Sequence, residues 1–151
     1  MANYTLSFDG SCGPKNPGGV GAYGFILTKN GETVESGHGI IGSGAGMTNN
    51  LAEFYALAMG LHSFHSNVPE PKGSILHVYG DSKLVIQIMN RHWRAKPDKP
   101  YYSAYDEALT RLLGLRNAGV TVFFDWIPRA QNQKCDDLSK EHQKKIDILS
   151  K

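Results

Sequence analysis

Asn30-Gly31 stands between two ten-residue runs, VGAYGFILTK at 20–29 and ETVESGHGII at 32–41. An Asn-Gly pair supplies the two positive-φ positions of a two-residue hairpin turn, so the runs predict two antiparallel strands. Upstream, Tyr4, Leu6 and Phe8 alternate with Thr5, Ser7 and Asp9, the period of a half-buried strand. Asp9 is expected to end that strand where it meets Gly10. Gly13, Pro14, Pro17, Gly18 and Gly19 then punctuate a turn. A chain that opens on three linked strands must cover the sheet it has begun.

The remaining two-thirds of the chain supplies the cover. Thr48 reads as the N-cap of a helix running to about residue 64, with Leu51, Tyr55, Ala58 and His62 on one stripe that Phe54 and Leu61 widen. Next come a strand over 74–80, a short helix over 82–90, a helix over 102–117, a strand over 120–126 and a basic amphipathic helix from Asn132. Strands alternating with helices after a hairpin predict one α/β domain over 1–151, built on a mixed sheet. With 40% apolar residues among 151, the chain can bury a core, which excludes disordered and collagen-like classes.

No apolar run reaches the ~18 residues of a membrane span, and the first ten residues lack the pattern of a signal peptide. A cytoplasmic protein with no membrane partner is the expectation, and monomeric. Its two cysteines, Cys12 and Cys135, are then expected to be free thiols. A net charge of +2 announces no polyanion partner, but residues 81–99 carry five basic groups against two acidic. Exposed Lys and Arg commonly form nothing more than a solvated face.

Two motifs mislead. Gly19-Val20-Gly21-Ala22-Tyr23-Gly24 matches G-x-G-x-x-G, yet a dinucleotide site needs it between a strand and a helix, and here it lies inside a strand. That removes a dehydrogenase reading. His62 and His65, three apart on a helix, have no third ligand nearby in sequence and are a weak zinc signal.

The acids are more informative. Asp9 and Asp81 each adjoin a glycine beside a predicted strand end, Glu53 lies early in the first long helix, and Asp136 opens the last one. Each alone could be a cap or a surface charge. If the first and fourth strands are neighbours, two of them converge. Clustered carboxylates repel and call for a cation, and an all-oxygen set suits Mg²⁺ or Mn²⁺ rather than zinc. Two such ions support phosphodiester hydrolysis.

Phe8-Asp9-Gly10-Ser11 with Asn16-Pro17-Gly18, then Thr48-Asn49-Asn50-Leu51-Ala52-Glu53, then Gly80-Asp81-Ser82, then Cys135-Asp136-Asp137-Leu138 together resemble type 1 ribonuclease H, in the archaeal-type wording of Ile127-Pro128-Arg129-Ala130-Gln131-Asn132. Spacings of 44, 28 and 55 residues between the four acids suit that family, and the resemblance spans nearly the whole chain. It implies a ribonuclease H-like α/β fold, a five-stranded mixed sheet flanked by helices on both faces. It also implies endonucleolytic hydrolysis of the RNA strand of RNA–DNA hybrids with two Mg²⁺ ions, Mn²⁺ being the alternative. Asp9, Glu53, Asp81 and Asp136 match the catalytic, metal-binding acids, with Asp136 favoured over Asp137. Asn16, Asn49 and Asn50 match residues touching the hybrid's minor groove, and Thr48 matches a phosphate contact.

Amides that both donate and accept suit the 2′-hydroxyls of a shallow minor groove. Trp93, flanked by Arg91, His92, Arg94 and Lys96, reads either as a core anchor or as a wall on the DNA strand. Two departures stand out. The stretch 91–100 is shorter than the basic protrusion of many bacterial members, and 128–134 holds no histidine. Arg129, expected to position a phosphate, and His142 are the nearby candidates for that vacancy. No separate hybrid-binding domain is expected. Double-stranded RNA as a further partner stays open, and so do a resolvase- or integrase-like DNA nuclease and a catalytically silent hybrid-binding module.

Overall fold

The computed structural model describes residues 2–141. Strands β1 (Asn3–Gly13), β2 (Gly18–Lys29) and β3 (Glu32–Gly44) are followed by helix α1 (Asn49–Asn67), strand β4 (Ile75–Gly80) and helices α2 (Lys83–Met89) and α3 (Tyr102–Asn117). Strand β5 (Thr121–Trp126), a 3-10 turn (Arg129–Asn132) and helix α4 (Gln133–Ser139) complete the order. The sheet runs β3-β2-β1-β4-β5, with β1–β2 and β2–β3 antiparallel and β1–β4 and β4–β5 parallel. The expected five-stranded mixed sheet is the one observed.

Local chemistry accounts for the elements. Asn30 and Gly31 take φ of 52° and 86°, the left-handed pair that the hairpin needs. Thr48 caps α1, its Oγ1 accepting from the Leu51 amide at 3.1 Å, and Ser82 caps α2 through the Val85 amide at 3.3 Å. The glycines at 19–24 lie within β2, with register shifts at Gly18/Val20 and Gly21/Ala22, as their strand context anticipated.

Alternation along β1 sorts the two faces. Tyr4, Leu6 and Phe8 are buried with Phe54, Leu57, Leu61 and Phe64 of α1, forming the main core with Leu76, Val78, Val85 and Leu112. Asp9 and Ser11 point the other way, to α4: the hydroxyls of Ser11 and Ser139 cross this gap, and Gly24, paired with Asp9, lies beneath Leu138 and Ser139. Helices therefore cover both faces.

Two expectations need correction. Asp9 does not end β1, which continues to Gly13 because its antiparallel partner β2 continues alongside. Only the parallel ladder with β4 stops earlier, at Ser7–Tyr79, so Asp9 lies mid-strand yet past that ladder's edge. The stripe on α1 also differs. His62 is exposed, and the buried face is broader, including Glu53, Leu57 and Phe64. A helix lying between a sheet and α3 buries more than one narrow stripe.

Candidate active site

Four elements deliver one carboxylate each to a single cleft of about 480 Å³: β1 brings Asp9, α1 Glu53, the residue after β4 Asp81, and α4 Asp136. Adjacency of β1 and β4 brings Asp9 and Asp81 together, as expected for neighbouring parallel strands. Gly10 lets α1 approach. A Cβ there would collide with the backbone of Ala52 and Glu53, so only glycine allows Glu53 to close on Asp9.

Asp9, Glu53 and Asp81 each offer an oxygen, and these atoms lie within 4.8 Å of one another. Asp9 and Glu53 are buried at 4% and 7% exposure. Among the described residues no Lys or Arg forms an ion pair with any of the three. Burial pushes the Asp9 carboxyl up to about 7, with the Asp81 charge adding to it and a hydrogen-bonding Glu53 opposing. Glu53 is held well above the usual carboxylate range by burial and then by the Asp9 charge. Asp81 is raised too, again by burial, against a hydrogen bond from Asn132 and the nearby Arg129 charge.

Asp136 is treated differently. Burial would raise it, but hydrogen bonds to Lys140 and Asp9, joined by the Lys140 and Arg129 charges, outweigh burial and bring it below the usual range. Lys140 Nζ is 3.1 Å and Arg129 Nη2 3.2 Å from Oδ1. The neighbouring Asp137 is exposed and accepts from the Gln133 amide at 2.8 Å. Of the two adjacent acids, Asp136 faces the cleft.

Asn49 and Asn50 line the same cleft, as does Arg129. Asn16 Oδ1 accepts from the Asn49 amide at 3.1 Å, tying the turn after β1 to the start of α1. Thr48 is spent as an acceptor on its cap but keeps its hydroxyl proton. Trp93 lies apart, 49% exposed, in a groove with Arg91, Arg94, Tyr102 and Tyr105, so it is no core anchor. His142 lies outside the described residues.

Cys12 and Cys135 form no disulfide, and burial pushes the Cys135 thiol up to about 12. His62 and His65 are exposed, and Arg111 Nη1 reaches His62 Nδ1 at 2.9 Å, an arrangement that suits no metal.

Several supports were not anticipated from the sequence. Ser139 Oγ donates to Asp9 Oδ2 at 3.2 Å, buried Asn132 donates to the Phe8 carbonyl at 2.9 Å, and Trp126 Nε1 donates to the Asp81 carbonyl at 3.0 Å. Lys140 alone had a readable signal, its i,i+4 spacing from Asp136.

The reverse transcriptase-like family profile matches residues 7–142. This chain belongs to that family. Among solved structures similar to this member of the reverse transcriptase-like family is the N-terminal RNase H domain of Rv2228c from Mycobacterium tuberculosis, fused to maltose binding protein: 24% identity, TM-score 0.78, all of both chains. RNase H1 of the halophilic archaeon Halobacterium salinarum is 25% identical with TM-score 0.76, over 95% of this chain and 98% of that one. LC11-RNase H1 in complex with an RNA/DNA hybrid is 24% identical with TM-score 0.76, over 91% and 94%. The fold is that of type 1 ribonuclease H. Among curated relatives, the bifunctional protein Rv2228c of M. tuberculosis is 29% identical over 133 residues, 87% of this chain. The chain spans about a third of the length of the curated relatives it matches, 33%.

Proposed function

We propose that this chain is a divalent-metal-dependent endonuclease that hydrolyses the RNA strand of RNA–DNA hybrids. The observation carrying this reading is the Asp9–Glu53–Asp81 group, whose oxygens gather within 4.8 Å while Glu53 Oε2 is buried without a hydrogen-bond partner. A buried carboxylate oxygen without a donor, in a group of three acids that no Lys or Arg pairs among the described residues, fits a hard divalent ion. Such acids fit poorly with a purely structural role, because such charges destabilise the fold unless paired.

Asp9, Glu53 and Asp81 would hold one ion, and Asp9 with Asp136 a second; Mg²⁺ is the species such an oxygen set suits, with Mn²⁺ next. When bound, the ions would polarise a water and the scissile phosphate and stabilise the leaving oxygen. The chain's own groups have separate tasks. Asn49 and Asn50, beside the acids, present amides to 2′-hydroxyls, with Asn16 fixing the Asn49 backbone. Thr48 offers its hydroxyl proton to a phosphate. Arg129, two-thirds exposed at the rim, offers a planar fork of donors to another.

Support for the hybrid as substrate is the complex known for LC11-RNase H1, together with amides in the same cleft as the acids. A single catalytic unit acting as a monomer is part of the same reading. Labelled RNA–DNA, RNA–RNA and DNA–DNA duplexes, incubated with Mg²⁺ or EDTA beside an Asp81→Asn control, test it. Cleavage confined to the RNA of the hybrid, lost with EDTA and in the control, is the expected result. Cutting of DNA–DNA instead would favour a DNA nuclease, and metal-independent binding without cutting a silent module.

A further inference from the structure

Met47 lies between β3 and α1, one residue ahead of the Thr48 cap, and is 8% exposed. Its thioether chain fills a slot over β2. A Cβ built on Gly21 would stand 2.2 Å from its Sδ, 2.7 Å from Cγ and 2.9 Å from Cε, and the terminal methyl also reaches Gly42 of β3. The backbone is engaged on both sides. Its amide donates to the Gly44 carbonyl at 2.9 Å, and its carbonyl accepts from the Gly18 amide at 2.9 Å and the Cys12 thiol at 3.5 Å. One residue thus joins β1, the turn leading into β2, the end of β3 and the start of α1.

We infer that Met47 is a positioning residue that sets the spacing between Asn16 and the Asn49–Asn50 pair, and through that spacing the preference for a strand bearing 2′-hydroxyls. This deepens the proposed function and rests on it for the identity of the substrate.

Three observations carry the assignment. The amides stand on separate arms, Asn16 in the turn after β1 and the other two at the start of α1, and the bond from the Asn49 amide to Asn16 Oδ1 is exposed to water. A bond of that kind contributes little by itself. Where the arms meet, Gly18, Gly42, Gly44 and Gly46 bring no side chain to lock them, so the packing falls to Met47. Lastly, an unbranched thioether suits a narrow, irregular gap, and Gly21 keeps that gap open.

Amides that read one shallow groove at two points must stand at a fixed separation. Loose arms would have to be ordered by the substrate, a cost in binding rather than in the chemical step. A DNA–DNA duplex offers no 2′-hydroxyl and has little to lose. Met47 therefore bears on KM and on discrimination, not on kcat.

The test compares Met47→Ala, which empties the slot, with Met47→Ala combined with Gly21→Ala, in which a new methyl refills part of it. Kd for an RNA–DNA hybrid and for a DNA–DNA duplex of the same sequence is read by fluorescence anisotropy in EDTA, and kcat and KM are measured in Mg²⁺. Met47→Ala should lower the preference for the hybrid at least threefold and raise its KM by a similar factor, with kcat within twofold of wild type. The double variant should recover at least half of that loss. In the free protein, the NMR contact between the Asn16 side chain and the Asn49 amide proton should weaken in Met47→Ala and return in the double variant. An unchanged preference, a loss in kcat alone, or equal weakening of both duplexes would overturn the inference. Should Met47→Ala lose its cooperative melt, Met47→Leu, similar in volume but one atom shorter, must lower the preference at least twofold, or the inference fails. If wild type cuts no duplex, the nuclease reading fails by itself, and the Asn16–Asn49 contact still decides whether Met47 holds the spacing.

Discussion

Asp9 and Asp136 line one cleft, yet the fold treats their charges in opposite ways. Asp9 is buried against Glu53 and Asp81 and is held up near 7; Asp136 is gripped by Lys140 and Arg129 and held below the usual carboxylate range. Burial raises both, more heavily at Asp9, and only at Asp136 is it outweighed. The difference is whether the chain supplies its own cation. Where it does not, the acids form a site that binding of an ion would stabilise; where it does, the acid already contributes to stability.

Catalysis should separate the two sides most strongly. Asp9→Asn and Asp81→Asn should each lower hybrid hydrolysis by about a thousandfold or more, since ion binding contributes several kcal/mol to such chemistry. Asp136→Ala should lose most activity and Asp137→Ala almost none, read as initial rates under saturating Mg²⁺. The reverse ranking of the two adjacent acids would break the assignment of Asp136 to the cleft.

Stability of the metal-free protein sharpens the contrast through opposite signs. A carboxyl moved from 3.8 to about 7 costs the fold stability once ionised, with the loss developing between those pH values and constant above them. At about 1.36 kcal/mol per tenfold change, the cost is of the order of 4 kcal/mol, less whatever Glu53 absorbs by sharing the proton. Asp9→Asn should therefore raise the pH 8 Tm in EDTA and flatten its dependence on pH between about 4 and 7. For Asp136 the sign is reversed. Its stabilisation is present above the ordinary carboxylate pKa and is lost as pH falls through the lower folded value. Because Lys140 and Arg129 are exposed, Asp136→Asn should lower Tm at pH 7 by the equivalent of no more than about 1 kcal/mol. Equal signs for the two variants would remove the contrast.

Added Mg²⁺ should raise Tm in wild type by mass action, more at pH 8 than at pH 5, since the triad must ionise to bind it. Asp9→Asn should abolish most of that rise, whereas Asp137→Ala should retain it. The smallest effect belongs to a residue outside the contrast. Trp93→Ala should leave the melt and its Mg²⁺ response unchanged while raising KM for the hybrid a few-fold at low salt.

Much of the fold and of the acid cluster was legible in the sequence because the causes are local. The Asn30-Gly31 turn, the Thr48 cap and the alternation along β1 depend on residues within a few positions of one another. Convergence of Asp9 and Asp81 needed only the neighbouring of two parallel strands. Other features depend on distant partners. Asp9 was expected at a strand end, but β2 decides how far β1 runs. His62 belonged to a helical stripe, but contact with both the sheet and α3 moved the buried face. Ser139, Asn132 and Trp126 support the acids from 130, 124 and 45 residues away along the chain, where no pattern points to them. Lys140 could have been read from its spacing, and only the geometry of the loop adds Arg129 to the same carboxylate.

One measurement addresses the two sides together. Carboxyl carbons of Asp and Glu, labelled with ¹³C, can be followed by NMR from pH 3 to 9 in EDTA and again in Mg²⁺. Asp9 should titrate near 7 without metal and Asp136 below 3.8, and Mg²⁺ should carry Asp9, Glu53 and Asp81 sharply downward while moving Asp136 little. Four carboxyls titrating together near 4, unmoved by Mg²⁺, would contradict the account.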